Sequence, residues 1–315
     1  MHFLEMGLAF GFTFLISILF IRYAPVIKVA IKPELVVVQS GKRGTPSVGG
    51  LAFCLGTALA TLLFPNRFEP TIFFPLLSLL LFSCVGLIDD MAKARKGNGD
   101  GIQSLTKLLL QATVAAIILF LLHMSNNLST TLIVPLFKGR TLPLGWIYYF
   151  FAMLYILYFV NAVNITDGLD ALAAGSSFPL LLLLALFSFK SNSPFSVALI
   201  ASLLAFLFFN RKPARYFMGD CGSHALGGYI AVSALMLNAS LLLLVASGLF
   251  LLEFASSLIQ IIAIRSTGKK VFSIAPLHHI YELKGVAERT IVGRFTLVSW
   301  FFALLGLLLF LGTGW

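Results

Sequence analysis

Five aspartates stand where apolar runs of the chain meet polar turns: Asp89 and Asp90 in V-G-L-I-D-D-M-A-K, Asp167 and Asp170 in N-A-V-N-I-T-D-G-L-D, and Asp220 in F-M-G-D-C-G-S. Ionised side chains at membrane depth are costly, which makes them functional-site candidates by default. Acids converging near one bilayer face, with Lys, Arg and His around them, point to a divalent cation and a phosphorylated substrate. Mg2+ suits such a site because it takes one or two carboxylates and completes its shell with phosphate oxygens and waters.

Each motif also has a plainer reading. Asp89 and Asp90 are explained equally by a solvated helix end. Asp167 and Asp170 are three apart, so one helical turn would align them; alternatively Asn164 or Thr166 is a helix N-cap with Asp in the first turn. Capping accounts for one Asp but not for two flanked by Asn161 and Asn164. F-M-G-D-C-G-S reads as a Gly-rich turn, or as a place where Gly219 and Gly222 let the backbone approach a diphosphate while Asp220 holds the metal. Asn210, Arg215 and Phe217 just before it favour the second. In A-P-L-H-H-I-Y-E-L-K-G, His278 and His279 lack the Cys or HExxH spacing of a zinc site, so phosphate contact is the preferred role. Glu253, inside an apolar run, reads as a buried acid bonded across the bundle.

The elements that must position these residues are membrane helices. The chain is 59% hydrophobic and 11% charged, which excludes an ordinary soluble domain. Ten apolar stretches are long enough, or nearly so, to span: roughly 4–24, 48–64, 71–88, 105–124, 145–162, 169–189, 195–209, 223–238, 240–264 and 292–312. A span needs about 20 residues, so 48–64, 195–209 and 223–238 are short and are expected to enter the interface or lie inside the bundle. The first run has no basic region and no cleavage site, and reads as a retained helix. Cys54, Cys84 and Cys221 imply no disulfide framework. The expected fold is all-α and polytopic, one domain over 1–315.

Orientation follows from Lys and Arg. With the N-terminus outside, 18 of the 22 basic residues fall in inner loops or at inner helix ends, and only Arg67, Lys138, Arg140 and Lys190 lie outside. Both termini are then expected outside, and all five aspartates inside. The formal net charge of +10 becomes an inner-face charge that meets anionic lipids or substrates, not nucleic acid.

Read end to end, the chain resembles the polyprenyl-phosphate N-acetylhexosamine-1-phosphate transferase superfamily, and within it the MraY family of phospho-N-acetylmuramoyl-pentapeptide transferases. The matching segments are G-K-R-G-T-P-S-V-G-G at 41–50, D-D-x-x-K at 89–93, S-L-T-K at 104–107, N-A-V-N-I-T-D-G-L-D at 161–170, F-M-G-D-C-G-S at 217–223 and A-P-L-H-H-I-Y-E-L-K-G at 275–285. One position departs: Ile280 stands where the family has a third consecutive histidine. The resemblance implies transfer of phospho-MurNAc-pentapeptide from UDP-MurNAc-pentapeptide to undecaprenyl phosphate, giving lipid I and UMP with Mg2+. It implies a ten-helix homodimer in the bacterial plasma membrane with its active site on the cytoplasmic face. It also implies Asp220 as Mg2+ ligand and Asp89, Asp90, Asp220, His278 and His279 as the catalytic set. Lys42, Lys93, Lys107, Asn161, Asn164, Asp167, Asp170, Asn210 and Phe217 would bind substrate. A relative that transfers GlcNAc-1-phosphate shares the aspartate motifs but not the histidine loop. A cation-coupled transporter would place its acids at the midplane of symmetric, interrupted helices.

Overall fold

A computed structural model of the chain describes residues 2–23, 44–97, 100–135, 140–189 and 196–313. Among the described residues there are twelve α-helices: α1 (His2–Tyr23), α2 (Gly49–Leu62), α3 (Pro70–Lys96), α4 (Ser104–Met124), α5 (Ile147–Thr166), α6 (Leu172–Phe189), α7 (Val197–Asn210), α8 (Gly219–Met236), α9 (Ser240–Ala246), α10 (Gly248–Thr267), α11 (Leu277–Leu283) and α12 (Glu288–Thr313). A short antiparallel hairpin, β1 (Thr131–Ile133) and β2 (Thr141–Pro143), joins α4 to α5 with Thr131 opposite Pro143. It is the only sheet among the described residues.

Six helices, α1, α3, α4, α5, α10 and α12, are long and apolar enough to cross a membrane, and α2, α6 and α7 are shorter apolar helices. Their outward faces carry large apolar side chains such as Phe120, Phe150, Ile262 and Phe301, each more than half exposed. In water such a surface would aggregate; in lipid it is the ordinary outside of a membrane protein. The chain is therefore a polytopic, overwhelmingly helical membrane protein.

Two apolar stretches behave differently from their hydropathy. The run 240–264 is not one helix but two, α9 and α10, broken at Ser247, whose N–H bonds Leu243 O and whose hydroxyl donates to Leu244 O. A helix end capped inside the bundle leaves no mark in average hydropathy. The short run 223–238 lies inside, as expected of one option: every residue of α8 from Asp220 to Leu235 is buried. A helix that is buried all round is the centre of its bundle. Around α8 stand α2, α3 and α5, with α6 also touching it; α1 leans on α2 and α7, and α12 on α6, α9 and α10.

Glycines set how close these helices come. A Cβ on Gly86 of α3 would stand 2.1 Å from Asp220 O, and one on Gly50 of α2 would stand 2.2 Å from Gly222 Cα. Lipid tails are as apolar as side chains, so membrane helices gain little from hydrophobic sorting and rely on close packing of this kind. The 46–50 segment is also stitched to the entry of α8. Phe217 N–H donates to Pro46 O at 2.8 Å, Gly49 N–H to Phe217 O at 2.8 Å, and Gly50 N–H to Met218 O at 2.9 Å. The G-T-P-S-V-G-G motif thus holds the F-M-G-D turn in place through its backbone.

This packing gives a direct test. Gly86→Ala should force α3 from α8 and destabilise the protein by about 1–3 kcal/mol, the scale of overpacking a tight core. Gly11→Ala in α1, where nothing lies within 4 Å, should leave thermal unfolding in detergent unchanged. Equal melting of the two variants would show that the α3–α8 approach is not tight.

Candidate active site

Adjacent residues on a helix point about 100° apart, and in α3 that angle sends Asp89 and Asp90 to different partners. Asp89 is 2% exposed, and its Oδ1 accepts the Ile102 N–H at 2.7 Å. Its Oδ2 faces Lys93 Nζ, one helical turn on, at 3.0 Å and Lys107 Nζ of α4 at 3.4 Å. Both ammonium groups reach across to α8: Lys93 Nζ donates to Asp220 Oδ1 at 2.6 Å, and Lys107 pairs with Asp220 Oδ2. Two carboxylates and two ammoniums therefore share one small volume between α3, α4 and α8. Burying a lone charge there would cost several kcal/mol, and mutual pairing with hydrogen bonds is what offsets it.

Asp90, 3% exposed, turns to the α8 backbone, accepting Asp220 N–H at Oδ1 (3.0 Å) and Cys221 N–H at Oδ2 (2.9 Å). From α5, Asn164 extends the cluster. Its Oδ1 accepts from Lys107 Nζ at 3.4 Å, and its Nδ2 donates to Ser223 Oγ at 2.9 Å. One turn further along the same two helices, Asn161 Nδ2 donates to the fully buried Gln111 at 2.8 Å. The polar seam between α4 and α5 thus repeats at helical spacing. Gln111 and Ser223 were not among the residues read from the sequence.

The N-I-T-D-G-L-D segment does not form the helical turn expected of it. Helix α5 ends at Thr166, whose hydroxyl bonds back to Ala162 O, so this is a helix C-terminus and not an N-cap. Residues 167–171 form a turn, with Ala171 at φ +66°. Asp167 closes α5, its N–H donating to Asn164 O at 3.3 Å. Asp170 is buried in a neighbouring knot: its N–H donates to Glu288 Oε1 at 2.8 Å, and its Oδ2 accepts Ala214 N–H at 3.2 Å. Glu288 pairs with Lys212. Asn210 belongs to this knot, accepting Ala171 N–H at 2.9 Å and donating to Tyr216 O at 3.0 Å. Phe217 is half-buried in the turn leading to α8. Lys42 lies outside the described residues.

The histidines sit on α11, a single short helix over the same end of the bundle. His278 is fully buried; its N–H donates to Glu253 Oε1 at 3.2 Å and its Nδ1 faces Glu253 Oε2 at 3.0 Å. Glu253 is itself fully buried in α10, so the acid is bonded across the bundle, as its sequence context suggested. Burial holds the His278 imidazole below its usual pKa, a displacement that Glu253 opposes. His278 Nε2 points at Gly168, where a Cβ would stand 2.2 Å away, so the histidine loop meets the 167–171 turn at a position that only glycine fits. His279 is held by Glu282 at 2.8 Å, and the two rings lie 4.2 Å apart. The His279–Glu282 pair has the i,i+3 spacing of one helix face, whereas the pairing of His278 with Glu253, 25 residues away, could not be assigned from spacing.

The carboxylates suit a hard divalent cation. Among the described residues no group of three or more His, Cys, Asp or Glu gathers to hold a metal unaided. Asp89 and Asp220, brought around the same ammonium groups, match the other case, in which substrate phosphate oxygens complete the shell.

Sequence comparison supplies the family. Residues 71–238, which include Asp89, Lys93, Lys107, Asn164 and Asp220, match glycosyl transferase family 4. The phospho-N-acetylmuramoyl-pentapeptide-transferases of Rickettsia felis and Rickettsia rickettsii are each 38% identical over 287 residues, covering 84% of this chain and 80% of theirs. That of Rickettsia bellii is 37% identical over 290 residues. Similarity of this extent, running through every element that builds the cluster, places the chain in the phospho-N-acetylmuramoyl-pentapeptide transferase family.

Proposed function

We propose that the protein transfers phospho-MurNAc-pentapeptide from UDP-MurNAc-pentapeptide to undecaprenyl phosphate, releasing UMP and forming lipid I for peptidoglycan synthesis. The observation that carries this reading is the shared cluster of Asp89, Asp220, Lys93 and Lys107 at one end of an apolar bundle. One substrate is an insoluble lipid and the other a soluble nucleotide, so the chemistry belongs at a membrane interface.

An oxygen of the lipid phosphate attacks the sugar-bearing phosphorus, a new P–O bond forms, and the bond to the UMP phosphate breaks. Phosphoryl transfer is governed mostly by positioning and by neutralising charge. Lys93 and Lys107, which neutralise carboxylates here, supply mobile positive charge for the donor diphosphate. Asp89 either takes the second proton of the lipid phosphate or orients it. Asn164, Asn161, Asp167, Asp170, Asn210 and Phe217 surround the nucleoside side, with Lys42, and His278 and His279 close the site from α11. Asp220, with Asp89 beside it, would hold Mg2+, which when bound supplies a fixed positive charge to the diphosphate.

The finer topology belongs to the same proposal: ten spans, both termini outside, the cluster on the cytoplasmic face of a bacterial plasma membrane, and a homodimer. Its support is the asymmetry of 18 inner to 4 outer basic residues.

In detergent micelles, the protein offered UDP-MurNAc-pentapeptide and UDP-GlcNAc in parallel should use the first. Transfer of GlcNAc-1-phosphate alone would refute the donor while keeping the chemistry. Asp220→Asn should lower turnover by about 10²-fold or more, the scale of losing one preorganised electrostatic contact, with the protein still folded and inserted. A near-normal rate at millimolar Mg2+ would remove Asp220 from the metal site. Single cysteines at Arg95 and Lys269, in a background lacking Cys54, Cys84 and Cys221, should resist an impermeant thiol reagent in intact cells, and one at Thr141 should react. The opposite labelling pattern would invert the orientation.

A further inference from the structure

The two members of the D-D pair are not equivalent in this fold. An α-helix begins with backbone N–H groups that have no intrahelical partner, and α8 has no cap of its own: the residue before it, Met218, makes no side-chain capping bond. The missing cap comes from 130 residues away. Asp90 accepts Asp220 N–H at 3.0 Å with one oxygen and Cys221 N–H at 2.9 Å with the other. A carboxylate at this position is also favoured by the positive end of the helix dipole.

The surrounding backbone is shaped to allow this contact. Gly219 has φ +70°, and a Cβ there would stand 2.7 Å from Asp90 Oδ2. Gly86, one turn before Asp90 on the same face of α3, gives Asp220 O room to approach. Asp90 is 3% exposed, with each oxygen held by a backbone N–H. Asp89, on the adjacent face, meets the lysines instead.

We propose that Asp90 is a positioning residue: it touches neither substrate, and it fixes the first turn of α8 so that the Asp220 side chain is presented to Lys93, Lys107 and the diphosphate. Asp89 and Asp220 are the members that face the reacting groups. The assignment rests on the transferase reading only for its kinetic test; the amide contacts stand without it.

The test has two independent readouts. The first is hydrogen exchange at the Asp220 and Cys221 amides, followed by mass spectrometry on the folded protein in micelles. In the wild type these amides should be protected, although they lack helical partners. In Asp90→Asn, which keeps one acceptor oxygen and turns an N–H2 toward the helix, they should exchange faster; Asp89→Asn should leave them protected. Rapid exchange in the wild type, or exchange unchanged in Asp90→Asn, overturns the proposal. The wild-type measurement decides even if the variant does not fold.

The second readout is how the kinetic loss divides between kcat and KM. A displacement of Asp220 by about 1 Å should cost Asp90→Asn about 10²-fold in kcat, with the KM for UDP-MurNAc-pentapeptide little changed. A loss carried mainly by KM would show that Asp90 binds substrate itself and would overturn the proposal. Complete inactivity of the wild type toward UDP-MurNAc-pentapeptide would instead refute the donor assignment and leave the exchange result standing.

Discussion

The cost of holding charge inside an apolar bundle constrains everything else in this molecule. Asp89, Asp90 and Asp220 are each less than a tenth exposed, in a setting where a lone carboxylate would give up its charge or unfold its surroundings. They are tolerated because every one has a specific partner: ammonium groups for Asp89 and Asp220, backbone amides for Asp90. Those partners lie on α3, α4 and α8, so the helices must approach to within a side chain's reach. Gly86 makes the approach of α3 to α8 possible, and Gly50 and Gly222 bring α2 equally close to α8. Close packing and charge pairing are therefore a single design, and neither would survive loss of the other. Glu253 obeys the same rule at the other side of the site, where its two oxygens anchor the backbone and ring of His278.

Local spacing in the sequence carried the chemistry but not the partners. The Asp89–Lys93 pair is legible because i and i+4 share a helix face, and it is found at 3.0 Å. That Lys107 would reach Asp220, 113 residues away, is not legible, because it depends on how α4 and α8 cross. Asp170 shows the limit from the other direction. Its three-residue spacing from Asp167 looked helical, but Ala171 adopts a left-handed conformation and Glu288, 118 residues on, takes the Asp170 N–H. Tertiary contacts overrode a local pattern that had no strong propensity behind it. The continuity of one run was hidden for a similar reason: hydropathy sees an unbroken stretch at 240–264, whereas one buried serine ends α9 and begins α10.

The charge balance of the cluster bears on how a diphosphate would enter. With Lys93 and Lys107 set against Asp89 and Asp220, two positive groups already face two negative ones, and the Asp90 carboxyl is held by two backbone amides. An arriving diphosphate adds negative charge to a volume that has none to spare. On the proposed function, Asp89 and Asp220 would hold Mg2+, whose charge would free Lys93 and Lys107 to face the phosphates. Offsetting charge in this way matters because a net charge is expensive in a low-dielectric surrounding.

The same geometry weighs against an ion-coupled transporter. Such proteins bind their ions where helices are interrupted near the bilayer midplane, so that unwound carbonyls and half-helix ends can coordinate them. Here α3 runs unbroken from Pro70 to Lys96 through both aspartates, and Asp220 sits in the first turn of α8. The break that does exist, between α9 and α10 at Ser247, brings no acid: its hydroxyl contacts Leu244 O and Tyr158. Asp89 and Asp220 are already paired with two lysines, so a cation arriving without an anion to draw those lysines away would find no open carboxylate there. Those lysines already serve as the ammonium partners of Asp89 and Asp220, and on the proposed function the anion they would turn to is the donor diphosphate.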